Sequence, residues 1–356
     1  MNETMKAFVY KKGGLTEYKE VPVPKVSDHR DVLLKVEIGA ICTSDLECLA
    51  GHFDPYYVKD ETVIGHEFAG EIIEKGEGIT DFEVGDRVVV YPAITCGECS
   101  ECKKGNPAQC TTGGLYGIIG GIDGAQAEYV LLKYADATMH IIPDELSYED
   151  VILVPDMVST GYAALNYASV KKDDKLVILG LGPVGLCASI LAKSFFGVEK
   201  VIAIDYNQMR CDLLEEQKVV DHVLCVTSTE DAIEKVMELT NGNMASAVAD
   251  CTGVQVGLQS ASKLAGFQSR LSTIAPFAGD VTIPFNDYFM KQITFRTGLT
   301  NGAEIPEVIE AIKNGKLDFK FILTHQGTLD DIEEGYRMFS TKEDGCVKWT
   351  YTGLSY

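Results

Sequence analysis

Cys96, Cys99, Cys102 and Cys110 are spaced C-x2-C-x2-C-x7-C on one short segment, with Gly97 and Gly105 giving the loop freedom to wrap. Four thiolates on such a loop can close a tetrahedron around one ion and leave no open position, which describes a structural zinc; an iron–sulfur cluster is the rival reading. A second pattern lies in Leu176-Val-Ile-Leu-Gly-Leu-Gly-Pro-Val-Gly185, where Gly180, Gly182 and Gly185 keep the G-x-G-x-x-G spacing. The first glycine permits a tight turn, the second lets the backbone approach a pyrophosphate, and the third lets helix and strand pack closely. Pro183 and Val184 open the helix, whose free N–H groups favour phosphate. Asp205 follows Gly185 by 20 residues. A carboxylate there accepts hydrogen bonds from ribose hydroxyls and repels a 2′-phosphate, so NAD(H) is favoured over NADP(H).

The elements that position these residues change character along the chain. Ala7 to Tyr10, Val32 to Ile38 and the stretch from Val63 to Tyr91 read as short strands punctuated by Gly13-Gly14, Gly76, Gly78 and Gly85. After Pro155, apolar runs at Lys175 to Leu179 and Lys200 to Ile204 flank a helical pattern from Val184 to Phe196. Strands alternating with helices predict a parallel sheet of βαβ units, which Ser246 to Asp250 and Arg270 to Ile274 extend. Beyond about residue 290 the regularity fades, with helices expected at Ile305 to Asn314 and Leu329 to Phe339.

Composition narrows the functions. Apolar residues at 46% and charged residues at 24% are those of a globular chain, and 356 residues suit two domains. The net charge of −22 repels phosphate backbones and anionic lipid, so neither nucleic acid nor a membrane surface is an expected partner. The uncharged run Leu176 to Ala192 is too short and too rich in glycine for a membrane span. No basic segment followed by an apolar run opens the chain, and 11 cysteines, an odd number, fit metal-bound thiolates in a reducing cytoplasm better than a disulfide framework.

Cys42 and His66 stand apart, and alone each reads as a buried structural residue. Their settings are Cys42-Thr-Ser-Asp45 and Gly65-His-Glu67, and Asp156 follows where the cofactor domain begins. Together with the four-cysteine loop and the glycine fingerprint, these motifs resemble the zinc-containing medium-chain alcohol dehydrogenases across essentially the whole chain. Pro155-Asp-Met-Val-Ser-Thr-Gly161 and Gly121-Ile-Asp-Gly-Ala-Gln-Ala-Glu-Tyr129 are most similar to the secondary-alcohol and polyol branch.

The resemblance implies an α/β fold: a doubly wound Rossmann sheet plus a β-rich GroES-like catalytic domain assembled from both ends of the chain, with the active site in the cleft. Residues 1–155 and 291–356 are then the catalytic domain and residues 156–290 the NAD-binding domain. It also implies that Cys42, His66 and Asp156 ligate a catalytic zinc, with Glu67 beside it as an alternate ligand and Asp45 behind His66, fixing the imidazole. Thr160 is expected to hold the nicotinamide end.

A zinc with one open position lowers the pKa of an alcohol, and hydride passes between its carbon and the nicotinamide. Ser44 is expected to take the proton first and pass it through ribose hydroxyls. Many members of the family end this relay with a histidine five positions after the zinc cysteine; here that residue is Glu47, which, or a water beside it, is expected to finish the relay. His52, His140 and His325 read as surface or packing residues, and Phe53, Ile94, Leu115 and Tyr116 as pocket walls. Threonine-, formaldehyde- or hydroxysteroid-type dehydrogenases are alternatives within the superfamily, and a non-catalytic zinc and nucleotide binder is the alternative outside it. A dimer, extending the cofactor-domain sheets edge to edge, or a tetramer is implied.

Overall fold

Val32–Ala40 is buried along nearly its whole length, which is why Val, Leu and Ile occupy both of its faces. The computed structural model, which describes residues 3–56, 59–275 and 279–353, builds the first antiparallel sheet around this strand. Glu67–Lys75 pairs with it on one side and Trp349–Thr352 on the other, with Tyr129–Leu132 along its first half. Arg87–Val90 and Met139–Ile141 continue the sheet one way, and His325–Thr328 the other. The register sets Ala40 opposite both Glu67 and Thr350, so residues just beyond these three positions gather at one end of the sheet. A smaller sheet joins Leu15–Pro22, Thr4–Lys11 and Glu61–Val63.

The second sheet has six parallel strands in the order His222–Cys225, Lys200–Asp205, Lys175–Leu179, Ala245–Asp250, Ala265–Thr273, Thr294–Thr297. In chain order this reads 3-2-1-4-5-6, the order of doubly wound dinucleotide-binding sheets, and it reverses between Lys175–Leu179 and Ala245–Asp250. Val177, Leu179, Ile202, Ile204, Val248 and Leu271 form its core with Val236, Leu258 and Leu264 from the covering helices.

Several sequence expectations need adjustment. The helix at Val184 to Phe196 is an α-helix over Pro183–Ile190 followed by a π-helical turn over Leu191–Phe195. Leu329–Asp331 is a 3₁₀ turn leading into the helix Ile332–Thr341. Thr294–Thr297, expected among irregular residues of the second catalytic segment, is the edge strand of the parallel sheet; only Phe295 is partly buried, so no apolar run betrays it.

The described residues cluster as two compact units. One runs to Asp156 and adds Asn301–Lys313 and the chain from Leu323; the other takes Met157–Thr300 and Asn314–Ile322. Among the described residues no helix is long and apolar enough to cross a membrane.

Candidate active site

The helix Thr43–Leu49 begins at Cys42 because Asp45, its third residue, reaches back to accept the Cys42 N–H at 2.9 Å, a capping box that satisfies a helix-end donor. The second oxygen of Asp45 stands 3.2 Å from His66 Nδ1, and Asp45 is fully buried. One carboxylate thus starts the helix and lies against the Nδ1 side of the imidazole, whose Nε2 faces Asp156. His66 itself enters from Gly65, whose φ of +99° suits glycine; a Cβ there would stand 2.5 Å from the side chain of Gln126. Gln126, buried and overlooked in the sequence, donates to Asp45 at 3.3 Å and accepts from the Tyr336 hydroxyl at 2.9 Å. Asp156 lies in the π-helical turn Val154–Val158, a rare conformation that recurs at functional sites.

These local devices bring four residues together. One donor atom from each of Cys42, His66, Glu67 and Asp156 lies within 4.8 Å of the others. His66 Nε2 is 3.3 Å and Cys42 Sγ 3.7 Å from Asp156 Oδ2. Donors sharing a tetrahedral zinc stand about 3.4–3.8 Å apart, so sulfur, nitrogen and oxygen here fit that ion. Burial and the charges of Asp156 and Glu67 push the Cys42 thiol up, a balance that a divalent cation on these donors reverses. Burial lowers the His66 pKa, but Asp45 and Asp156 outweigh it and hold the imidazole well above its ordinary value. Ser44, on the first turn of the helix, places its hydroxyl 3.2 Å from Cys42 Sγ and 3.1 Å from His66 Nε2.

Sequence reasoning missed Lys348. Its ammonium is buried and ion-paired with Glu67 Oε1. The signal was a lone lysine within the otherwise uncharged stretch Cys346–Tyr351. Burial pushes the Glu67 carboxyl up to about 7, Lys348 pulling against it and Asp156 adding to it. Glu47, one turn beyond Ser44 on the same helix, pairs through Oε2 with Nδ1 of His52, a residue that the sequence reads as surface or packing. The expected pocket walls fare unevenly. Ile94 and Tyr116 are fully buried in the core of their unit, with Tyr116 edge-on to Phe68 and bonded to the Lys133 N–H, so they are packing residues. Phe53 and Leu115 are partly buried against the same core.

The four remaining cysteines of interest also converge, with sulfurs within 4.8 Å of one another. Cys96 Sγ accepts the N–H groups of Glu98 and Cys99 at 3.4 and 3.3 Å, and Cys110 Sγ that of Cys96 at 3.3 Å. Such donors favour thiolate: Cys96 is lowered, and the N–H groups of Cys102 and Thr111 bring Cys99 down to about 5. Burial and its neighbours raise Cys102 to about 12.

In the second unit, Gly180 adopts φ +90° at the end of its strand, and a Cβ on Gly185 would stand 1.8 Å from the Gly180 carbonyl oxygen, so helix and strand touch through backbone. A Cβ on Gly182 would meet nothing within 4 Å, which leaves room above the helix N-terminus opened by Pro183 and Val184. Asp205 ends the neighbouring strand, with Arg210 Nη1 at 3.7 Å from its Oδ2. Thr160 lies in the helix Ser159–Tyr167, which belongs to this unit.

The chain matches the alcohol dehydrogenase GroES-like domain over residues 28–144 and the zinc-binding dehydrogenase domain over residues 183–314. It is 30% identical to an alcohol dehydrogenase of Cupriavidus necator, with 98% of each chain covered. It is also 30% identical to a sorbitol dehydrogenase of Bacillus subtilis, covering 97% of this chain and 96% of that one. The solved structure of 2R,3R-butanediol dehydrogenase from Bacillus subtilis is similar with a TM-score of 0.84 at 28% identity, covering 98% of this chain and 99% of that one. Likeness of this extent, running through both units, leaves one conclusion: the chain belongs to the zinc-containing medium-chain alcohol dehydrogenases, oxidoreductases built from a GroES-like domain and a doubly wound α/β domain.

Proposed function

We propose that this chain is an NAD(H)-dependent dehydrogenase of secondary alcohols or polyols, with one zinc on Cys42, His66 and Asp156 and a second on Cys96, Cys99, Cys102 and Cys110. The observation that carries the reading is the convergence of a thiol, an imidazole and a carboxylate with the Ser44 hydroxyl beside two of them. When bound, the metal supplies a Lewis acid that lowers the pKa of an alcohol, and the dinucleotide accepts the hydride.

The protein's own groups do the rest. Asp45 holds the imidazole in one orientation, Ser44 receives the substrate proton, and Glu47 with His52 stands one helical turn away toward solvent. The turn of Gly180, Gly182 and Gly185, with Pro183 and Val184 at the helix start, receives the pyrophosphate, Asp205 the adenosine ribose and Thr160 the nicotinamide end. The sorbitol and butanediol dehydrogenases among the relatives support a substrate with a secondary hydroxyl. Exposed Phe285, Phe289, Met290 and Leu299, around the edge strand Thr294–Thr297, support assembly into a dimer or tetramer. Eleven cysteines, none of them in a disulfide among the described residues, suit a reducing cytoplasm.

The test is a screen of zinc-loaded protein against primary alcohols, secondary alcohols and polyols with NAD+ and NADP+, read by reduced-cofactor absorbance and accompanied by metal analysis. The reading expects two zinc ions per chain and turnover of secondary alcohols or polyols with NAD+ in preference to NADP+. Full activity after removal of the metal, or no turnover with any alcohol, defeats it.

A further inference from the structure

Asp250 is a fully buried carboxylate to which the chemistry proposed above gives no part. It closes the strand Ala245–Asp250, in register with Leu179 on one side and Thr273 on the other, at the place where the strand order reverses. Among the described residues no cation pairs with it, and its partners are neutral donors. Oδ1 accepts the Thr252 N–H at 3.0 Å and the Thr252 hydroxyl at 2.7 Å, and Oδ2 accepts the Thr273 hydroxyl at 3.0 Å. Burial pushes the Asp250 carboxyl up, against the pull of these three bonds. Burying an acid without a cation contributes little to stability, so what Asp250 supplies is position.

Thr252 carries that position to the glycine turn. A Cβ on Gly180 would stand 2.8 Å from Thr252 Cγ2, and one on Gly257, in the first turn of the helix Gln255–Leu264, would stand 1.8 Å from Thr252 Oγ1. The threonine is packed between the two glycines. Cys251 donates to the Leu179 carbonyl at 2.8 Å and Ile274 to the Asp250 carbonyl at 3.4 Å, so three neighbouring strands are tied together at their ends. Doubly wound sheets carry two mononucleotide-binding halves that meet where the strand order reverses. Asp205 lies in the half proposed to take adenosine, and Asp250, Thr252 and Thr273 lie at or just beyond the strand ends of the other half.

We propose that Asp250 is a positioning residue for the nicotinamide half of the dinucleotide: it ties the ends of two neighbouring strands together and seats Thr252 against Gly180. The inference rests on the NAD(H) reading of the glycine turn. Without the carboxylate, the two hydroxyls and the Thr252 N–H lose their common acceptor, and the backbone on this side of the turn loses its fixed course. The adenosine half keeps its own ties, through the Leu181 and Asn207 N–H groups on Asp205.

The experiment uses the full chain and two probes: NADH, whose binding is followed by its own fluorescence, and AMP, which carries the adenosine half alone and is followed by calorimetry. Asp250→Ala is expected to raise the dissociation constant of NADH by about tenfold, the scale of lost hydrogen bonds to a carboxylate, and to leave that of AMP within about twofold of wild type. Asp250→Asn, which keeps one acceptor oxygen, is expected to recover most of the NADH affinity. Unchanged NADH affinity in Asp250→Ala overturns the proposal. So does an equal loss of NADH and AMP, the mark of a general loosening of the unit, or an asparagine variant no better than the alanine one. Should Asp250→Ala not fold, Thr273→Val takes its place: weaker NADH binding with unchanged AMP binding supports the proposal, and any other pattern overturns it. Wild type that binds neither probe overturns the cofactor reading itself, and is distinguishable because no substitution is involved.

Discussion

The carboxylate of Asp205 accepts the backbone N–H of Leu181 at 2.6 Å, tying the end of one parallel strand to the glycine turn after its neighbour. Its other oxygen accepts the Asn207 N–H at 2.8 Å. The group proposed to read the ribose therefore also shapes the phosphate turn. Asp205→Ser is expected to raise KM for NAD+ by about tenfold or more, the scale of a lost hydrogen bond to a charged group. The preference for NAD+ over NADP+ is expected to shrink, since Arg210 loses its acidic neighbour and can meet a 2′-phosphate. Steady-state kinetics with both cofactors decide this; an unchanged ratio removes Asp205 as the discriminator.

Asp156→Asn and Cys42→Ala each take one donor from the open cluster and leave the four-cysteine loop intact. Each variant is expected to lose one zinc per chain and turnover by about a thousandfold, the scale of Lewis-acid stabilisation. Elemental analysis beside the rate assay checks both. Retention of two ions and full rate would remove the residue from the ligand set.

Arg30 fastens the four-cysteine loop. It donates to the Cys96 carbonyl at 2.9 Å, grips both oxygens of Asp136 at 2.8 and 2.9 Å, and lies over the Tyr134 ring. Arg30→Ala is expected to lower stability by about 2 kcal/mol and to speed zinc transfer to a chelator. Arg30→Lys should restore little, because an ammonium lacks the planar fork. Urea unfolding and a colorimetric zinc assay measure the two effects.

Glu47→Gln tests the proposed end of the proton path. With its acceptor charge gone and its pairing to His52 weakened, kcat is expected to fall by about tenfold near neutrality and its pH profile to change shape. Superimposable profiles of variant and wild type would exclude Glu47 from proton transfer.

Burial lowers the His140 pKa from 6.5 to about 4. The native state thus holds the ring neutral, while the unfolded chain takes up a proton as pH falls through 6.5. The stability that His140 contributes is full above that pH and is lost between there and about 4. Allowing for partial exposure, the loss is about 1–2 kcal/mol. His140→Leu is expected to flatten this part of the profile of unfolding free energy against pH; an unchanged slope would assign the acid sensitivity elsewhere.

Much of the parallel-sheet unit was legible because its signals are local. Gly180, Gly182 and Gly185 sit within one turn of backbone, and an apolar run before and a helical run after them suffice to place it. Strands with weak apolar content escaped: in Thr294–Thr297 pairing with Ala265–Thr273, rather than burial, makes the strand. Ile94 and Tyr116 were misplaced for a related reason, since an apolar side chain reads the same in a core and in a pocket wall.

The sequence by itself determined what depends on a few neighbouring residues: the cysteine loop and the glycine turn between strand and helix. Tertiary structure alone decided what sits around Cys42, because Glu67 and Lys348 are 281 residues apart and meet only through the registers of Glu67–Lys75 and Trp349–Thr352 on Val32–Ala40. The physical reason is that a ligand loop closes on itself, whereas a buried lysine acquires its meaning only from the acid that folding sets against it.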